Sequence, residues 1–131
     1  MGRRSYDLCE GAGGWGDGGP LGQVPCFVLS HGVPERVAAP SVFTFAADGI
    51  ENAIERAKAA AGDKYVGLHG ATTAQQCLRA GLLDEMQIDL VPILLGGGIR
   101  LFDHLGMKIE LERTRVIESP GVIHLRFRVL K

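Results

Sequence analysis

Lys64-Tyr65-Val66-Gly67-Leu68-His69-Gly70-Ala71-Thr72-Thr73 decides how this chain is read, together with Gly81-Leu82-Leu83-Asp84-Glu85 and Met86-Gln87-Ile88-Asp89-Leu90-Val91-Pro92 after it. The first run passes from an apolar strand through a glycine turn into a helix start. The helix is expected over about Thr73–Ala80 and closes at Gly81. Glu85–Val91 then reads as the next strand, and Ile93-Leu94-Leu95-Gly96-Gly97-Gly98-Ile99-Arg100-Leu101-Phe102 leaves it through three glycines. Unpaired N–H groups point outward where a strand hands over to a helix through small residues, so Gly70-Ala71-Thr72-Thr73 is either an anion site or a structural N-cap.

Upstream, Pro25-Cys26-Phe27-Val28-Leu29-Ser30 is an apolar run bounded by turn residues, as in a buried strand, and Val42-Phe43-Thr44-Phe45 is a second, with Pro34 and Pro40 punctuating the connection. Asp48 with Glu51 three residues on suggests a capping box. Ile50, Ala53, Ile54, Ala57 and Ala61 share a helical face that Gly62 ends. Strands alternating with helices imply parallel pairing through right-handed crossovers. Toward the C-terminus the period shortens to two. Ile109–Glu112 and Arg115–Glu118 alternate, Ser119-Pro120-Gly121 reads as a type II turn, and Val122–Leu130 alternates again. The expected class is therefore α/β: one domain over residues 1–131, with a mixed, mainly parallel sheet flanked by helices and a C-terminal antiparallel hairpin.

Composition narrows the function. A chain of 131 residues holds one core. A formal net charge of -1 and no basic run argue against nucleic acid. No apolar run has membrane length, and Cys9, Cys26 and Cys77 show neither a CxxC pair nor metal-ligand spacing. Reduced thiols, no metal and a cytoplasmic location are expected. Glycine is the outlier at 19 residues, and its cluster over residues 11–22 has no period, so a flexible loop is expected there. Trp15 either caps a ligand or packs that loop down.

No P-loop is present, and Gly96-Gly97-Gly98 lacks the later glycine and helix of a dinucleotide fingerprint. Met1-Gly2-Arg3-Arg4-Ser5-Tyr6 sets two arginines and a hydroxyl side by side, which is phosphate chemistry or a solvated terminus. His69 is a ligand or a turn histidine. Asp84 and Glu85 are paired carboxylates or a cap between helix and strand.

Together these segments resemble the dihydrofolate reductase-like superfamily, specifically the reductase domain of the bifunctional riboflavin-biosynthesis deaminase-reductases. The resemblance rests on Met1–Tyr6, Phe27-Val28-Leu29-Ser30-His31, Val66-Gly67-Leu68-His69-Gly70-Ala71, Gly81–Met86 and Pro92–Phe102. It implies an NADPH-dependent reductase that passes hydride to a small polar heterocycle or its open-chain sugar derivative, working as a homodimer. It implies Arg3 and Arg4 at the 2′-phosphate, with Gly2 in the same motif, and Ser5 at the pyrophosphate. Ser30 and His31 would flank the adenosine phosphate, and His69, Gly70, Ala71 and Thr72 would line the cofactor's approach to the next helix. The family turn is richer in glycine than His69 and Ala71 allow here. No catalytic residue is nominated. Family members carry an opening strand, a substrate-facing loop and a helix before the Met-Gly-Arg segment, so this chain is expected to be N-terminally truncated. The alternative expectation is a non-catalytic remnant serving as a self-associating or nucleotide-binding module.

Overall fold

The computed structural model describes residues 1–16, 18–35, 37 and 41–131. Two small sheets and three helices make up the described fold: α1 (Arg3–Gly11), β1 (Cys26–Leu29), β2 (Phe43–Ala46), α2 (Ile50–Ala61), α3 (Ala71–Arg79), β3 (Glu85–Leu90), β4 (Leu111–Ser119) and β5 (Val122–Val129). The mixed α/β class with its terminal hairpin is as expected. Parallel pairing runs through β1 and β2, in register from Cys26↔Phe43 to Leu29↔Ala46, while β3 joins the hairpin in an antiparallel sheet of order β3-β5-β4.

Helix α1 has no counterpart among the elements expected from sequence. Its residues are largely polar, and Tyr6 alone is buried. That ring meets Phe43 and Phe45 edge-on, each with centroids 5.0 Å apart; burying an aromatic of this size stabilises by about 1.5–3 kcal/mol. The chain enters the helix from a strand-like start. Gly2 forms a parallel bridge with Leu29, the Leu29 N–H donates to the Met1 carbonyl at 2.8 Å, and the Met1 amine donates to the Phe27 carbonyl at 2.8 Å.

Helix α2 buries Ile50, Ala53, Ile54 and Ala57, the face expected from periodicity. Ile50 and Ile54 meet Cys77 of α3, and Leu29, Leu68, Leu82 and Leu83 pack around them. Gly62, at φ 58, ends the helix in a conformation that L side chains rarely adopt. Its start differs from the capping box. Gly49, at φ 98, is the N-cap and no side chain caps it; the Asp48 carbonyl instead accepts from the Asn52 side-chain amide at 2.9 Å.

Residues 65–69 lie outside the assigned strands. Only Leu68 of this run packs against the core, whereas Tyr65 is 90% exposed, so apolar burial does not hold the run extended. In the hairpin, Pro120-Gly121 makes the turn, with Gly121 at φ 78, as a type II turn requires.

Parts of the glycine-rich segment are ordered by hydrogen bonds. Gly14 N–H reaches the Cys9 carbonyl at 3.0 Å, and Gly19 and Gly22 exchange bonds of 2.7 and 3.1 Å. Trp15 packs the loop down, its ring centroid 5.6 Å from that of Phe43. Asp17 within this segment, and Pro40, lie outside the described residues.

Candidate functional site

Three local features meet at the C-terminal end of β1. The first is the start of α1. Gly2 is its N-cap, extended at φ -81 and ψ 156, and no side chain caps the helix. The second is Ser30-His31-Gly32, which follows β1. Arg3 ties the two together: its Nη1 donates to Ser30 Oγ at 3.1 Å and to the Gly32 carbonyl at 3.1 Å. Asp7, one helical turn on, accepts from Arg3 Nε at 2.7 Å and fixes the guanidinium.

The third feature is the start of α3. Gly70 is its N-cap at φ 96, again with no side-chain cap. A methyl group on Gly2 would stand 3.8 Å from Thr73 Oγ1, so the starts of α1 and α3 adjoin. Two uncapped helix N-termini therefore adjoin, each with first-turn amides that the helix leaves unpaired and a positive dipole end. This arrangement suits a polyanion such as a pyrophosphate.

Of the residues named from sequence, Arg3 and Ser30 are brought into direct contact, and Gly2 lies beside Thr73 of α3. Gly70, Ala71 and Thr72 form the start of that helix. Arg4, His31 and His69 are exposed, and Ser5 sits in the first turn of α1. Asp84 and Glu85 do not act as a carboxylate pair. Asp84 accepts from Lys131 Nζ at 2.6 Å, a bond that holds its carboxyl below the ordinary 3.8, and Glu85 pairs with Arg126. A groove of about 730 Å³ opens beside Asp84 over Ile54, Leu68, Leu82 and Val129, and contains none of the nominated residues.

Sequence reasoning missed Gln75. It is buried on α3 and donates its side-chain amide to the carbonyls of Arg100 at 3.0 Å and Leu101 at 3.2 Å. Arg79 adds a bond to the His104 carbonyl at 3.1 Å. These contacts hold the segment after the glycine triplet against α3. A glutamine on a helix face with cysteine and leucine was the one available signal. Among the described residues, no three His, Cys, Asp or Glu side chains gather as a metal site, and no helix is long and apolar enough to cross a membrane.

Among curated proteins none matches. A solved structure of a candidate riboflavin biosynthesis protein from Shewanella sp. PV-4 superposes with a TM-score of 0.76 at 24% identity, over 100% of this chain and 72% of that one. A pyrimidine reductase-like protein from Corynebacterium diphtheriae superposes at 0.59 and 16% identity, over 80% of this chain and 49% of that one. Both show a shared fold. The model of the RibD C-terminal domain matches residues 33–125, most of the sequence, and so the chain belongs to the RibD C-terminal domain family.

Proposed function

We propose that this chain is an NADPH-dependent reductase of the riboflavin-pathway type, passing hydride to a small polar heterocycle or its open-chain sugar derivative. The observation that carries the reading is that two uncapped helix starts adjoin at Gly2 and Thr73, and that Arg3 of the first is tied to Ser30. The donor set fits the cofactor's anionic groups: amides of α1 and α3 and the Ser5 and Thr72 hydroxyls, with Ser30, whose hydroxyl donates to the Gly32 carbonyl, holding the adjacent turn. The exposure of Arg4 beside the fixed Arg3 supports a role for it at the 2′-phosphate. When bound, the reduced nicotinamide supplies the hydride. The residues of this chain bind the phosphates and set their register, with His31 and His69 at the rim.

The exposed apolar run after β3 supports a homodimer. Leu94 is fully exposed, and Leu95 and Ile99 are nearly so, more apolar surface than isolated side chains usually leave in water. The three free thiols fit a reducing, cytoplasmic setting.

The test is titration of NADPH and NADH into the chain, followed by nucleotide fluorescence. Saturable NADPH binding, weakened roughly tenfold by Arg4→Ala while NADH binding is unchanged, is the expected result. No saturable NADPH binding by the folded chain would overturn the reading.

A further inference from the structure

The antiparallel sheet sets two arginines directly opposite each other, with no residue in common with the cleft at β1. Register places three rows of side chains on one face of β3-β5-β4. The outer rows have partners of their own. Arg128 lies between Glu85 and Glu112, and bonds Glu112 Oε2 at 2.8 Å. His124 Nδ1 meets Asp89 Oδ1 at 2.7 Å, and Gln87 Nε2 donates to the same carboxylate oxygen at 3.2 Å.

The middle row, Gln87-Arg126-Arg115, is different. Arg126 reaches diagonally to Glu85. Arg115, directly opposite Arg126, has no carboxylate among the described residues. Like charges directly opposed across strands are destabilising, and a β-bulge creates this opposition. The register shifts between Arg113 and Arg115, so Thr114 is the extra residue and its hydroxyl donates to the Arg126 carbonyl at 3.2 Å. Without the bulge, Thr114 would face Arg126. With it, a second guanidinium does, the kind of re-aiming that bulges perform beside sites.

These groups border a concavity of about 340 Å³, lined by Arg115, Arg126, His124, Gln87, Ser119 and Ile117. We propose that this face is a binding site for a small phosphomonoester, its dianion seated between the Arg115 and Arg126 guanidinia. Two planar forks match a phosphate's oxygens; the anion offsets the charge of Arg115 and adds to the Glu85 carboxylate that Arg126 already meets. Ser119 and Gln87 supply further hydrogen-bond donors, and Ile117 accommodates the ester carbon.

The experiment is heteronuclear NMR of the intact chain titrated with inorganic phosphate, then with methyl phosphate, at constant ionic strength. Saturable shifts centred on Arg115, Ile117, His124 and Arg126 are expected, with affinity reduced roughly tenfold in Arg115→Gln. Arg113→Gln is the control, because it removes the same charge from the same strand on the opposite face. Unchanged affinity in that variant supports the site. Equal weakening by both variants would reduce the effect to general charge attraction and overturn it, as would acetate binding as well as phosphate. Shifts that fail to saturate, or that centre on Gly70–Thr73 and Arg3, would also overturn it.

Discussion

Gln75 and Arg100, 25 residues apart, are joined by a 3.0 Å bond from the Gln75 amide to the Arg100 carbonyl. The donor is buried on α3, and it reaches the Leu101 carbonyl as well. Replacing it by leucine keeps much of the volume and leaves both carbonyls without that donor. Gln75→Leu is expected to lose about 1–3 kcal/mol of stability in urea unfolding. Amide exchange over residues 96–102 should accelerate more than exchange in α2. Equal acceleration everywhere would mean that the bond stabilises the fold as a whole rather than this segment.

Two glycines should fail for different reasons. At Gly70 a Cβ would meet nothing within 4 Å, but φ is 96, so Gly70→Ala carries conformational strain alone, about 1–2 kcal/mol. At Gly18 a Cβ would lie 2.6 Å from the Gly22 carbonyl oxygen, so Gly18→Ala must push backbone aside and undo the Gly19–Gly22 turn. Thermal melts of the two variants should rank Gly18→Ala as the less stable. Only Gly70→Ala should weaken NADPH disproportionately to its loss of stability.

Acid should destabilise the closure of the C-terminus. The hydrogen bond from Lys131, followed by the charges of Lys131 and Lys58, holds the Asp84 carboxyl below the ordinary 3.8 despite an opposing desolvation effect. A carboxyl depressed in the folded state contributes its stability above about pH 4 and loses it as pH falls through the lower folded value. Both partners are about half exposed or more, so the contribution is a few tenths of a kcal/mol. Urea midpoints measured from pH 6 down to pH 2 should fall less steeply in Asp84→Asn than in the parent.

The thiols should separate by reactivity. Cys77 is fully buried between α2 and α3, and burial pushes its pKa up. Iodoacetamide should modify Cys9, which is half-buried, in the native state. Cys77 should react only through global opening, its rate tracking urea concentration. Rapid native labelling of Cys77 would contradict the packing of Ile50 and Ile54 against it.

The regular elements with an apolar period were legible in sequence: β1, β2, α2, α3, β3 and the hairpin. Helices α2 and α3 bury the face that their period predicts, β1 and β2 are the two apolar runs, and β3 and the hairpin alternate in sequence although β3 and β4 bury no side chain in this chain. Helix α1 was not, because a single buried side chain, Tyr6, carries its tertiary contact and leaves no periodic signal. The run at 65–69 misled in the opposite direction, since apolar residues alone do not provide a strand with a hydrogen-bonding neighbour. Within the candidate cleft, sequence supplied Arg3 and Ser30 as separate motifs. Their contact depends on Gly2 pairing with Leu29, a long-range event that no local pattern encodes. The bulge that turns Arg115 toward Arg126 is equally invisible, because it exists only as a mismatch between two strands.

Trp15 gives the glycine-rich segment a consequence of its own. It is the single tryptophan of the chain, and it rests on Phe43, which also packs against Tyr6 of α1. The indole is thus an intrinsic optical reporter coupled through one shared ring to the helix that begins the cleft. Its emission should register any lifting of the loop, and under the proposed function quenching by energy transfer to a reduced nicotinamide is the expected sign of binding, without a label being added to the protein.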